Sequence, residues 1–136
     1  MTRKEAREQA FIIVFEKEFN SEYSLDEIID AAKEAELFDA DDFARTLSEK
    51  TLSGLDALDD TITSNLRGGW KISRISKVSL AILRLAICEM LNFPDIPVSV
   101  SINEAVELAK KYAAEEDYSF VNGLLSSVSK GMAANG

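Results

Sequence analysis

Apolar residues along this chain recur at steps of three and four, the spacing that lays one stripe along a helix, and no stretch sustains the alternation of a half-buried strand. Ala6, Ala10, Ile13 and Val14 form the first stripe, and Thr2-x-x-Glu5 in front of it reads as a capping box. A second capping box, Ser24-x-x-Glu27, opens a stripe of Leu25, Ile28, Ile29, Ala32 and Ala35. Phe43, Leu47, Thr51, Leu55, Leu58, Ile62 and Leu66 then continue without a break in period. The spacing predicts one long helix capped by Asp39, running through Gly54 and ending at Gly68-Gly69. Ser76 is expected to cap a helix reaching Asn92, which is apolar nearly all round and therefore belongs at the centre of the fold. After the rigid "PDIP" connector, residues 99–113 carry Ile102, Ala105, Val106, Ala109, Tyr112 and Ala113 on one face. A last helix is expected after Asp117. The fold class is all-α.

"SFVNGLL", residues 119–125, pulls the other way. Asn-Gly between apolar residues is a strong hairpin signal, because both residues tolerate positive φ. It follows one of the clearest helical patterns in the chain, so local propensity and periodicity disagree there.

The 136 residues, 46% of them hydrophobic, suffice for one compact domain with a real core. Only 2 prolines and 6 glycines argue against a loop-rich β fold. A single cysteine, Cys88, excludes an internal disulfide and suits a reducing, cytoplasmic setting. Its place in the apolar central helix marks it as a buried thiol. The apolar run "AFIIVF" is too short for a signal-peptide core, and Arg84 and Glu89 interrupt "VSLAILRLAICEML" well below the roughly 20 residues of a bilayer span. No membrane association is expected.

Charge alters the picture more than composition does. The net charge of −9 speaks against nucleic acid, yet it is unevenly spread. Residues 16–60 carry a net −11, whereas residues 61–88 carry Arg67, Lys71, Arg74, Lys77 and Arg84 with no acid at all. A local basic segment can bind phosphate on an acidic protein. Histidine is absent, which removes the commonest general base and metal ligand. Carboxylate pairs such as Asp41-Asp42 and Glu115-Glu116 have nothing beside them to raise a pKa. Neither an enzyme nor a cofactor or metal site is expected. Two features remain: Arg3, Lys4 and Arg7 on the first turns of a helix, and Tyr112, Tyr118 and Phe120 around a helix–helix turn. Cations beside aromatics are what single-stranded RNA recognition uses, although aromatics at such a turn are more often core plugs.

"ILRLAICE", "IPVSVSINEAVELAK" and "FVNGLL", in this order and spacing, resemble the C-terminal half of the NusB family of bacterial transcription antitermination factors. "RKEAREQA" and Trp70 fit the family's weaker first half, so the resemblance covers the whole chain. It implies about seven helices in two three-helix subdomains, here about residues 1–68 and 69–136, with the Asn-Gly pair inside the final helix. On that reading Gly123 admits a neighbouring helix, and Asn103 and Asn122 are structural. It also implies a function: pairing with NusE, a small-subunit ribosomal protein, binding the boxA element of nascent RNA, and assisting RNA polymerase through terminators, above all in ribosomal RNA operons. By position, Arg3, Lys4 and Arg7 correspond to the family's N-terminal arginine-rich RNA contacts. Tyr112, Glu116, Tyr118 and Phe120 fall on its RNA surface. Phe15 and Phe19 lie towards the NusE-facing side, with Arg74, Lys77 and Ser79 as further partner contacts. Glu5, Ala113, Ser73 and Ser79 depart from the family pattern. A helical module that binds only protein, including a second copy of itself, is the alternative; a phosphate interface weakens steeply with salt, whereas an apolar one does not.

Overall fold

A computed structural model of the chain describes residues 2–135. Among them it has seven α-helices, one short 3-10 turn and no strand. The helices are α1 (Arg3–Phe19), α2 (Leu25–Glu34), α3 (Asp42–Ser53), α4 (Leu55–Ser64), α5 (Lys77–Asn92), α6 (Val98–Tyr112) and α7 (Asp117–Asn135). The 3-10 turn spans Ile72–Arg74.

Short polar side chains start these helices, because the first N–H groups have no partner within the helix. Ser24 and Glu27 form the full reciprocal box at α2, and Ser76 accepts from the Ser79 N–H at α5. At α1 the box is half formed: Thr2 accepts from the Glu5 N–H, while Glu5 takes the Thr2 hydroxyl rather than its backbone N–H. Asp41, not Asp39, caps α3.

The single long helix expected through Gly54 is instead two. The Gly54 N–H turns back to Thr51 O at 3.2 Å, and a new helix begins when Leu58 N–H reaches Gly54 O. The apolar period survives the break because both helices lay the same stripe against α5.

α5 is the centre of the molecule. It touches α1, α3, α4, α6 and α7, and from Ser79 to Met90 only Arg84 escapes full burial. Ile82, Leu83 and Ile87 are wholly enclosed, as are Ile13, Leu47, Ile62, Val121 and Leu125 from the surrounding helices. Each such side chain contributes roughly 1.5–3 kcal/mol by leaving water. Cys88 lies in this core at 1% exposure, where burial pushes its thiol above the ordinary value.

Asn122 and Gly123 both lie inside α7, so packing against α6 overrides the hairpin propensity. The supporting roles expected of them are not found. Asn103 and Asn122 are exposed, and neither side chain makes a hydrogen bond to the described residues. A Cβ added at Gly123 would meet nothing within 4 Å, so no helix presses on it.

Candidate nucleic-acid interface

Steps of three and four along α1 place Arg3, Lys4 and Arg7 near one another, but tertiary packing sends them three ways. Arg7 points inward. Its Nε and Nη2 donate to Glu89 Oε1 at 2.8 and 2.6 Å, and Nε also reaches Oε2 at 3.0 Å. Both side chains are buried, at 6% and 2% exposure, so Arg7 offers no free charge to a ligand. Its sequence-based role as an RNA contact is corrected here: a guanidinium that answers a buried carboxylate from α5 is a structural tie. Arg3 is exposed, with its guanidinium carbon 4.0 Å above the Phe43 ring. Lys4 faces α6 and lines a cleft of about 410 Å³ with Glu8, Glu104, Glu107, Lys110 and Lys111.

Glu8 organises that cleft. Lys111 Nζ and the Tyr112 hydroxyl both donate to its Oε1, at 2.7 and 2.6 Å. The Lys111 hydrogen bond, followed by that from Tyr112, holds the Glu8 carboxyl below its ordinary value. Burial, then the Glu8 bond, pushes the Tyr112 phenol up. The Tyr112 ring leans on Phe11, with centroids 4.9 Å apart, so the hydroxyl end of the ring meets solvent while its body belongs to the core. Tyr118 is exposed, and Lys110 Nζ lies 5.3 Å from its ring centre. Glu116 is exposed on the short loop from α6 to α7. Lys4, Lys110, Lys111, Tyr112 and Tyr118 thus gather where α1, α6 and α7 meet.

Phe120 does not join them. Two residues further along α7 is about 200° around the helix, and Phe120 faces the other way, half-buried, with its ring 6.3 Å from Trp70. The aromatic cluster expected as one unit is therefore two.

The expected partner face lies at the far end of α1. Phe15 is half-buried and Phe19 exposed, and Phe11, Phe15 and Phe19 follow one another at 5.9 and 4.9 Å down the helix. Beside them Lys77 donates to Glu18 at 2.9 Å, and Arg84 grips Asp59 with two hydrogen bonds of 2.7 and 2.8 Å. The Lys77 hydrogen bond draws Glu18 below its ordinary value. Arg74 is exposed. Ser79 is not: at 1% exposure it is enclosed in the first turn of α5, where its N–H meets the Ser76 cap, so it presents nothing to a partner. That expectation is corrected as well.

Sequence reasoning passed over two residues of weight here. Glu8 is the anchor of the cleft; its position one turn after Lys4 was the available signal, but Lys111 and Tyr112 lie more than a hundred residues away. Trp70 is 56% exposed; it entered the reading only through the family resemblance, although a lone tryptophan after two glycines in a basic segment was a signal that could have singled it out. Among the described residues no cluster of three or more Cys, Asp or Glu side chains is placed to hold a metal ion, and no helix is long and apolar enough to cross a membrane.

Comparison with known proteins bears on what this surface is for. The NusB family profile matches residues 4–130. The transcription antitermination protein NusB of Natranaerobius thermophilus is 42% identical over 132 residues, covering 94% of each chain. The structure of T. maritima NusB superposes with a TM-score of 0.83 at 34% identity, covering 96% of this chain and 92% of that one. A complex of the antitermination factors NusB and NusE with double-stranded RNA contains a chain with a TM-score of 0.82 at 26% identity, covering 95% and 96%.

Proposed function

The chain belongs to the NusB family, and from that premise we propose that it is a transcription antitermination factor that binds RNA together with NusE. It works without catalysis, in the cytoplasm, and serves RNA polymerase in transcribing ribosomal RNA operons. The observation that carries this reading is the meeting of Lys4, Lys110, Lys111, Tyr112 and Tyr118 on one solvent-facing surface of an otherwise acidic protein. Lys4, which no carboxylate among the described residues holds, meets phosphate directly, and Lys110 and Lys111 do so by exchanging Glu107 and Glu8 for it. The exposed Tyr118 ring offers a face on which a base stacks. Glu116 is exposed on the loop beside this surface, Arg3 is exposed one residue before Lys4, and Phe120 stands on the other side of α7. Arg7 acts at one remove, by fixing the start of α1 against α5.

NusE is assigned to the other end of α1, where Phe19 and Phe15 offer apolar surface beside Lys77, with Arg74 exposed on the 3-10 turn that precedes α5. We place the boundary between the two subdomains near residues 68–69, where Gly68 and Gly69 take φ of 62° and 75° and the chain turns away from α4.

The test is a titration of fluorescent boxA-type RNA with the protein and NusE, comparing the wild type with a Lys4→Gln, Lys110→Gln variant. The account expects the variant to bind more weakly and to show a shallower salt dependence, by about 0.7 in log–log slope for each phosphate that is no longer neutralised. Unchanged affinity and slope would overturn the assignment of this surface to RNA.

A further inference from the structure

On the other side of α7 from the lysine cleft lies an apolar groove of about 550 Å³, between the end of α4 and the middle of α7. Leu66, Trp70, Phe120 and Leu124 form its walls, and Asn65 with Ser127 its polar end. Two glycine effects keep it open. Gly123 faces it from α7, where an added Cβ would touch nothing within 4 Å. Gly68 and Gly69, both at positive φ, turn the backbone so that the Trp70 N–H reaches Arg67 O at 3.2 Å and the indole comes alongside Phe120. The two ring planes are tilted by 30° with centroids 6.3 Å apart, and Trp70 is more than half exposed.

The charge around the groove points to its occupant. Arg67 lines it, Lys71 follows Trp70 directly, and Arg74 closes the 3-10 turn. All three are exposed, and none is engaged by a carboxylate among the described residues, whereas Lys77 and Arg84 further along are held by Glu18 and Asp59. An apolar slot with two aromatic walls takes a planar ring, and the uncompensated Arg67 in its lining, with Lys71 next in sequence to Trp70, takes an anion attached to that ring. At the polar end the orientation of the groups is fixed: Asn65 Nδ2 donates to Thr61 O at 2.8 Å, and Ser127 Oγ donates to Asn65 Oδ1 at 2.6 Å.

We propose that this groove receives one unpaired nucleobase of the bound RNA, stacked on the Trp70–Phe120 pair with its flanking phosphates against Arg67 and Lys71. The proposal rests on the RNA-binding reading above and adds to it a second anchor, on the other side of α7 from the first. A strand that crosses α7 from the lysine cleft to this groove binds at two separated places. An apolar peptide segment would gain nothing from the free Arg67 and Lys71, which is why a nucleic acid is the better fit.

The experiment measures the anisotropy of labelled single-stranded RNA of about 12 nucleotides, with NusE present, against the wild type, Gly123→Leu, Trp70→Ala and Trp70→Phe. Leucine is a good helix former and places its side chain in the groove without a clash at Cβ. Gly123→Leu and Trp70→Ala are expected to weaken binding about ten-fold, the scale of one base left unstacked, while Trp70→Phe retains most of it. Replacing the nucleotides one at a time by abasic residues should reveal one position whose loss weakens the wild type and costs Gly123→Leu nothing further. Wild-type affinity in Gly123→Leu and Trp70→Ala, or an abasic scan in which no position couples to Gly123→Leu, overturns the proposal. If the lysine-cleft variant weakens RNA binding and the groove variants do not, only the groove assignment falls. If the wild type binds no RNA at all, the functional reading fails and the groove proposal with it. Loss of NusE binding in Gly123→Leu without RNA would make the groove a protein site and likewise overturn the proposal.

Discussion

Arg7 shows how far a single residue can be read from its neighbours. On α1 it stands one turn from Arg3 and Lys4 and shares their charge, so the local sequence assigns it to their surface. Its carboxylate lies 82 residues away on α5, and nothing local announces that Glu89 is enclosed there. Removing one partner of a buried pair leaves the other charge without compensation, so Arg7→Ala should lower stability by about 3–5 kcal/mol. Urea denaturation checks this, and the loss should persist when RNA and NusE are absent. A variant that lost RNA affinity through Arg7 without losing stability would return the residue to the binding surface. Glu8, one residue on, gives a pH signature. Its folded pKa lies below the ordinary 4.5 because Lys111 and Tyr112 bond to the ionised form. A depressed carboxylate contributes stability that is present above its unfolded pKa and lost as pH falls through the folded value. Stability should therefore drop on acidification below about pH 4.5, and Glu8→Gln should flatten that part of the profile in urea midpoints measured from pH 6 to 3.

Helices were legible where a pattern needs only its own segment. The Ser24 and Ser76 caps, the buried character of α5 and the stop before Pro94 all follow from short-range chemistry. The break at Gly54 was not legible, because hydrophobic period reports which face is buried and not whether the backbone ladder continues: α3 and α4 both keep the stripe facing α5 although the helix is interrupted at Gly54. The Asn122-Gly123 pair failed as a hairpin signal for the complementary reason, since α7 is held by burial of Val121, Leu124, Leu125 and Val128. The glycines can be separated by substitution. Gly54 has φ of −119°, open to any residue, and an added Cβ would meet only Lys50 O at 3.4 Å. Gly54→Ala should therefore shift stability by no more than about 1 kcal/mol in either direction. Gly68→Ala forces alanine to φ near 62° and should cost roughly 1–2 kcal/mol. Thermal unfolding of the two variants side by side reads the difference, and equal effects would contradict the assigned backbone geometry.

Charge is organised across the whole molecule as segment is against segment. The acidic excess in residues 16–60 repels a polyanion, whereas Lys4 in the cleft and Arg67, Lys71 and Arg74 around the 3-10 turn are exposed cations that no carboxylate among the described residues holds. The sequence displayed this segregation and the family resemblance, but not that the aromatic residues would divide between two sides of α7. A protein with net charge −9 gains RNA affinity from a basic partner that offsets its field and adds phosphate contacts of its own. The decisive measurement is the affinity of boxA-type RNA for this chain alone and with NusE, across a salt series. The account predicts weak binding alone, clearly tighter binding with NusE, and a steeper log–log salt slope for the pair than for either protein alone. Equal affinity with and without NusE, or no dependence on salt, would contradict it.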